Sequence, residues 1–176
     1  SSFHSDSGRL EMFMYQLQHI GYAVRVIEVS NKIELARRLI QMDGKYAQTA
    51  GKIAFALIGG HGTPNSIQLG HSTSRRTENI ISADIWNNGA QRLRSFFRPQ
   101  APIVLNSCST GKNAGIGQQL SAVFRTKVIA PNGDTSLTRL TPKLTRAGNI
   151  TLDATYTSGT VAKTYVRGVL KGERKK

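Results

Sequence analysis

Pro102-Ile103-Val104-Leu105-Asn106-Ser107-Cys108-Ser109-Thr110-Gly111 is the stretch on which the fold turns. A short apolar run that stops abruptly at small polar residues is the signature of a strand buried on both faces. A second stretch of the same form lies upstream, where Ile53-Ala54-Phe55-Ala56-Leu57-Ile58 runs into Gly59-Gly60-His61-Gly62-Thr63. One strand end offers a thiol, the other an imidazole. If the two strands are neighbours in a parallel sheet, His61 and Cys108 meet at its carboxyl edge, where open α/β sheets place their sites.

The rest of the chain supplies elements around these strands. Leu10, Phe13, Met14, Leu17 and Ile20 recur at helical spacing, with Ser7 as a plausible cap and Gly21 as a stop. Tyr22 to Val29, rich in Val and Ile, reads as a strand. Asn31 caps an expected helix to Met42 that buries Ile33, Leu35, Leu39 and Ile40. Ser66 to Leu69 reads as a short hairpin strand, and Asp84 to Phe97 as a helix ending before Pro99. A helix from about Asn113 to Phe124 precedes a strand at Lys127 to Ala130. The alternation predicts an α/β domain with a mostly parallel sheet and helices on both faces. After the turn signal Pro131-Asn132-Gly133-Asp134, Ile150 to Tyr156 and Thr160 to Val166 flank Thr157-Ser158-Gly159 and predict a C-terminal β-hairpin.

With 176 residues, the chain fits a single domain over 1–176. It opens on a loop and helix, so the usual first strand of a doubly wound sheet is expected upstream, in a parent protein. No apolar run approaches the ~20 residues that cross a bilayer. The N-terminal residues lack the regions of a signal peptide. Cys108 is the only cysteine, so no internal disulfide forms and a reducing compartment suits the chain.

The formal net charge is +14. Residues 125–176 hold eleven Lys or Arg against three Asp or Glu, a local balance of +8. Such a field attracts polyanions, acidic segments or anionic lipid. Aromatics do not interleave with the basic residues, which makes nucleic acid the less favoured partner. Asn106 to Asn113 also approaches a phosphate-binding loop, but Asn106 replaces its first glycine and Asn113 its metal-binding hydroxyl. Those departures argue against nucleotide hydrolysis.

Taken together, the two strand-end motifs resemble the caspase-like superfamily of cysteine peptidases. Asn106-Ser107-Cys108-Ser109-Thr110-Gly111 is similar to the Asp-Ser-Cys-His-Ser-Gly of metacaspases and the Gln-Ala-Cys-Arg-Gly of caspases. The step from residue 61 to residue 108, 47 positions, is close to the ~50 of caspases. The resemblance implies a cysteine endopeptidase with Cys108 as nucleophile and His61 as general acid/base. The Gly62 and Cys108 amides form its oxyanion hole, and no metal is required. Asn106, Ser107, Asn132 and Asp134 are the candidate substrate-binding residues. Metacaspases carry Asp at the Asn106 position to select Lys or Arg, so strict basic specificity is not expected here.

Among relatives, the self-processing domains of large bacterial toxins imply an effector delivered to a host cytosol. They also imply inositol hexakisphosphate as a possible activator on a basic face. The alternative is a catalytically silent module of the same fold that binds a polyanion such as inositol phosphate or nucleic acid. His4 beside Asp6 is a lesser candidate for orienting a site loop.

Overall fold

The computed structural model describes residues 7–49, 51–70, 78–157 and 159–175. His4, Asp6 and Ser158 lie outside them. The architecture is α/β, as the alternation predicts, and its order explains how two distant motifs come to share an edge.

Helix α1 (Ser7–His19) places Phe13 and Leu17 in the core. Gly21, at φ +88°, ends it. The chain from Tyr22 to Val29 forms no ladder, contrary to the strand expected there. Its alternation is used for side-chain packing alone: Tyr22 meets Phe55 edge-on at 6.0 Å and Val24 joins the same cluster, while Val26 is exposed. Helix α2 (Lys32–Tyr46) is capped as predicted, with Asn31 Oδ1 accepting from the Glu34 amide at 2.8 Å. The Glu34 carboxylate in turn accepts from Ser30 N–H, which holds it below the usual glutamate range. The helix buries none of its residues, and Ile33 and Ile40 face solvent. The expected burial does not form, and the main contact of α2 is with the short helix α4.

Strand β1 (Ala56–Gly59) is followed by β2 (His61–Thr63), β3 (Ser66–Gln68) and β4 (Asn79–Ile81), which form a separate three-stranded antiparallel sheet. The predicted Gly-His-Gly turn is therefore mostly strand. The helix expected over 84–97 is two short ones, α3 (Ser82–Ile85) and α4 (Asn88–Arg94). They part where the Asn87 side chain caps α4 by accepting from the Ala90 amide. Then come β5 (Ile103–Asn106), α5 (Ile116–Phe124) and β6 (Lys127–Pro131). Helix α5 starts later than predicted, capped by Gly115, because 107–115 is spent on the loop that carries Cys108.

The C-terminal third contains β7 (Leu137–Leu144), β8 (Ile150–Tyr156), β9 (Ala162–Val166) and β10 (Val169–Arg174). A C-terminal hairpin is present, but β9 and β10 form it. The run 150–156 instead pairs with β7, and β9 pairs antiparallel with β6. The main sheet is mixed, in the order β1-β5-β6-β9-β10, with β1, β5 and β6 parallel.

Alternation along β5 and β6 divides the core. Ile103, Leu105, Val128 and Ala130 face α3, α5 and the small sheet. Val104 and Ile129 face α1 and the β7–β8 ribbon. Both faces of these strands are covered, which accounts for the unbroken apolar run.

Candidate active site

The register of β1 on β5 sets the site. Gly59 pairs with Asn106 at the carboxyl end of both strands. His61 and Cys108 each lie two residues past that pair. Gly60 N–H donates back to the Asn106 carbonyl at 3.4 Å, and its φ of +152° turns the chain out of β1 into β2. A side chain there would strike the Gln68 carbonyl, so only glycine makes the turn.

Gly62 then stands directly against the Cys108 backbone. A Cβ at this position would be 2.5 Å from the Cys108 carbonyl oxygen and 2.7 Å from the Cys108 nitrogen. His61 is exposed at the start of β2, in register with Gln68. At the far end of the hairpin, the Pro64 carbonyl accepts from the Ile116 amide at 2.7 Å, fixing β2 to the start of α5. His61 and Gly62 are thus carried by a hairpin tied to the loop that carries Cys108.

That loop is rigidly held. Ser109, at φ +59°, donates its amide to the Gly133 carbonyl at 2.9 Å, and Gly111 donates to the Pro131 carbonyl at 2.7 Å. Among the described residues the Cys108 N–H donates to no acceptor, as an oxyanion-hole donor requires. Two buried tyrosines brace the loop from below. Tyr156 Oη donates to the Leu105 carbonyl at 2.6 Å and Tyr165 Oη to the Gly111 carbonyl at 2.7 Å. Burial pushes both phenols up, with Glu173 adding to the effect on Tyr165. They therefore stay protonated donors.

The half-buried Cys108 sulfur touches the loop after β6. Thr135 N–H approaches Sγ at 3.4 Å, and the thiol donates to the Thr135 carbonyl at 3.6 Å. The sulfur accepts in the first contact and donates in the second, so it meets both backbone polar groups of Thr135. Thr135 is also held by Thr157, hydroxyl to hydroxyl, at 2.7 Å.

The four candidate substrate-binding residues are placed differently from one another. Asn106 Oδ1 accepts from the Leu137 amide at 2.9 Å, so its side chain anchors the start of β7 beside the site. Ser107 is buried, and its hydroxyl has no partner among the described residues. Asn132 exchanges two hydrogen bonds with the Val161 backbone, through its own amide and through Oδ1. Asp134 is exposed, and its carbonyl accepts from Thr160 Oγ1 at 3.2 Å. The structure brings Gly62, Asn106, Cys108 and the 131–137 loop together, with Ser107 beneath them. Thr135, Tyr156 and Tyr165 are the participants that sequence reading did not single out. Tyr156 ends the alternating buried face of β8, a pattern that signals burial but not a hydrogen bond, and Tyr165 lies in β9, whose burial does not alternate.

Among the described residues, no group of three or more His, Cys, Asp or Glu is placed to hold a metal ion. No helix among them is long and apolar enough to cross a membrane. No curated protein and no solved structure matches the chain. The chain belongs to a family described as a domain of unknown function, DUF8616, which matches residues 33–152 and so contains both motifs.

Proposed function

We propose that this DUF8616 domain is a cysteine endopeptidase of caspase-like type. The observation that carries the reading is the seating of Gly62, the residue that follows His61 in β2, on the Cys108 backbone. A thiol, an adjacent histidine and backbone donors at one strand edge are the groups that acyl transfer needs. In the reaction, His61 takes the Cys108 thiol proton, and the thiolate attacks the carbonyl carbon of the scissile peptide. The Gly62 and Cys108 amides stabilise the tetrahedral oxyanion. His61 delivers a proton to the leaving amine, leaving a thioester on Cys108. Water, deprotonated by His61, then hydrolyses the thioester and releases the acid product. Thr135 holds the sulfur between turnovers, and its carbonyl must release the S–H before attack.

A peptide-derived acyloxymethyl ketone tests the assignment. The reading predicts one stoichiometric adduct, located on Cys108 by mass spectrometry, and its loss in His61→Ala. Labelling no faster than that of a free thiol, or unaffected by His61→Ala, contradicts it.

A second reading rests on charge. Of the eleven cations in residues 125–176, ion pairs hold Lys127, Lys143 and Lys163 among the described residues. The excess supports a polyanion partner: inositol hexakisphosphate as an activator of the peptidase, or as the ligand of a silent module. Proteolysis measured with and without inositol hexakisphosphate separates these roles. A rate that rises with the ligand supports activation. Saturable binding with no proteolysis in either condition supports the silent module.

A further inference from the structure

We infer that the opposite edge of the main sheet carries a binding site for an organic phosphate monoester with an apolar or aromatic body. The inference is independent of the peptidase reading. At the amino ends of β5 and β6, far along the strands from Cys108, lies a cavity of about 520 Å³. Its volume falls in the range of small-molecule sites. Arg125, Lys127, Arg167 and Lys171 line it, and no acidic residue does. Lys127 is committed elsewhere, to the Leu152 carbonyl at 2.8 Å and Asp153 at 3.4 Å. Arg125, Arg167 and Lys171 form no ion pair among the described residues.

The floor between these cations is apolar, made by Pro102, Ile150, Val166 and Val169. A bare anion satisfies the cations and leaves that floor unused. An apolar molecule covers the floor and leaves the cations unmatched. An esterified phosphate uses both: about −1.5 to −2 charges at pH 7, planar guanidinium partners and a body to rest on the floor. A single carboxylate leaves a surplus of positive charge.

Three residues of the lining have positive φ: Gln100 at 63°, Arg125 at 51° and Arg167 at 52°. Arg125 is the left-handed C-cap of α5, and Arg167 is the first residue of the two-residue β9–β10 turn, so the ends of two elements bring the two guanidiniums to one cavity.

Calorimetric titration at ~0.15 M salt tests the site with adenosine 5′-monophosphate, phenyl phosphate, adenosine and inorganic phosphate. The monoesters are expected to bind saturably and at least about tenfold more tightly than inorganic phosphate, with adenosine not binding. The double variant Arg125→Gly/Arg167→Gly removes both guanidiniums and relaxes both backbones, so it should melt no lower than wild type and bind at least about tenfold more weakly. Cys108→Ala should bind the monoesters like wild type. The inference is overturned by absence of saturable monoester binding, by inorganic phosphate binding as tightly, or by unchanged binding in the double variant. Inositol hexakisphosphate binding where neither monoester does also overturns it.

Discussion

Gly62 in β2 and Cys108 in the loop after β5 are packed so closely that a single methyl group on Gly62 would lie 2.5 Å from the Cys108 carbonyl oxygen. The neighbours on the Cys108 side are backbone atoms, which cannot swing aside as a side chain does. Gly62→Ala must therefore push β2 away from the β5 end, displacing His61 with it. Cleavage is expected to fall by about 100-fold or more, as misplacement of about 1 Å in a catalytic group does. Steady-state kinetics with a peptide substrate checks this, with circular dichroism to establish that the variant is folded. Near-wild-type kcat/KM in a folded variant contradicts the assigned geometry.

Asn106 links specificity to structure. Its Oδ1 holds the Leu137 amide, and aspartate keeps that acceptor while adding a charge beside the site. A peptide library randomised at the residue before the scissile bond should show no strict demand for Lys or Arg in wild type. Asn106→Asp should melt close to wild type and accept Lys and Arg more readily. Asn106→Ala loses this hydrogen bond and should cost about 1 kcal/mol, the net scale of one intramolecular hydrogen bond. A wild type that already cleaves only after Lys or Arg contradicts this role for Asn106.

Tyr156 is buried and donates to the Leu105 carbonyl at the root of the Cys108 loop. Tyr156→Phe should destabilise the fold by about 1 kcal/mol and leave the ring packing intact. Denaturant unfolding measures the loss, which should show at an unchanged m-value.

Asp153 sets an acid limit on the β6–β8 contact. Burial opposes its ionisation, but Lys127 and Lys143 outweigh burial and hold the carboxyl below its ordinary value. The folded pKa is depressed, so the associated stability is fully present above the unfolded value of about 3.9 and is lost as pH falls through the folded one. Because the group is one-third exposed, solvent screening keeps the contribution to about 1 kcal/mol or less. Asp153→Asn should lower the melting temperature at pH 7 and have a smaller effect at acid pH, well below the unfolded value of about 3.9. An equal loss at both pH values assigns the effect to packing instead.

The parts of this fold that were legible in sequence are those whose residues answer to local rules. Strand β5 is apolar at Ile103, Val104 and Leu105 because both of its faces are covered, and the Asn31 cap of α2 is a contact three residues long. Strand β7 escaped notice because Leu137-Thr138-Arg139-Leu140-Thr141-Pro142-Lys143-Leu144 mixes charge and proline into its run, as an edge strand tolerates. Without β7, β8 had only the following run as a partner in sequence, whereas β9 in fact pairs back to β6. Tyr22 to Val29 has strand-forming residues, but composition cannot supply a ladder partner. At the site, Cys108 and His61 stood out because each follows an apolar run. The Thr135 contact with the sulfur spans 27 residues and uses backbone atoms, so no side chain announces it.

Joint action of Cys108 and His61 on a peptide bond is tested by cleavage of a diverse peptide library with wild type, Cys108→Ala and His61→Ala, each verified as folded and read out by mass spectrometry. Wild type should cleave at defined positions, Cys108→Ala should cleave at none, and His61→Ala should lose about 100-fold or more, the scale of general acid–base catalysis. Cleavage that persists in Cys108→Ala, or a wild type that cuts no peptide with or without inositol hexakisphosphate, contradicts it.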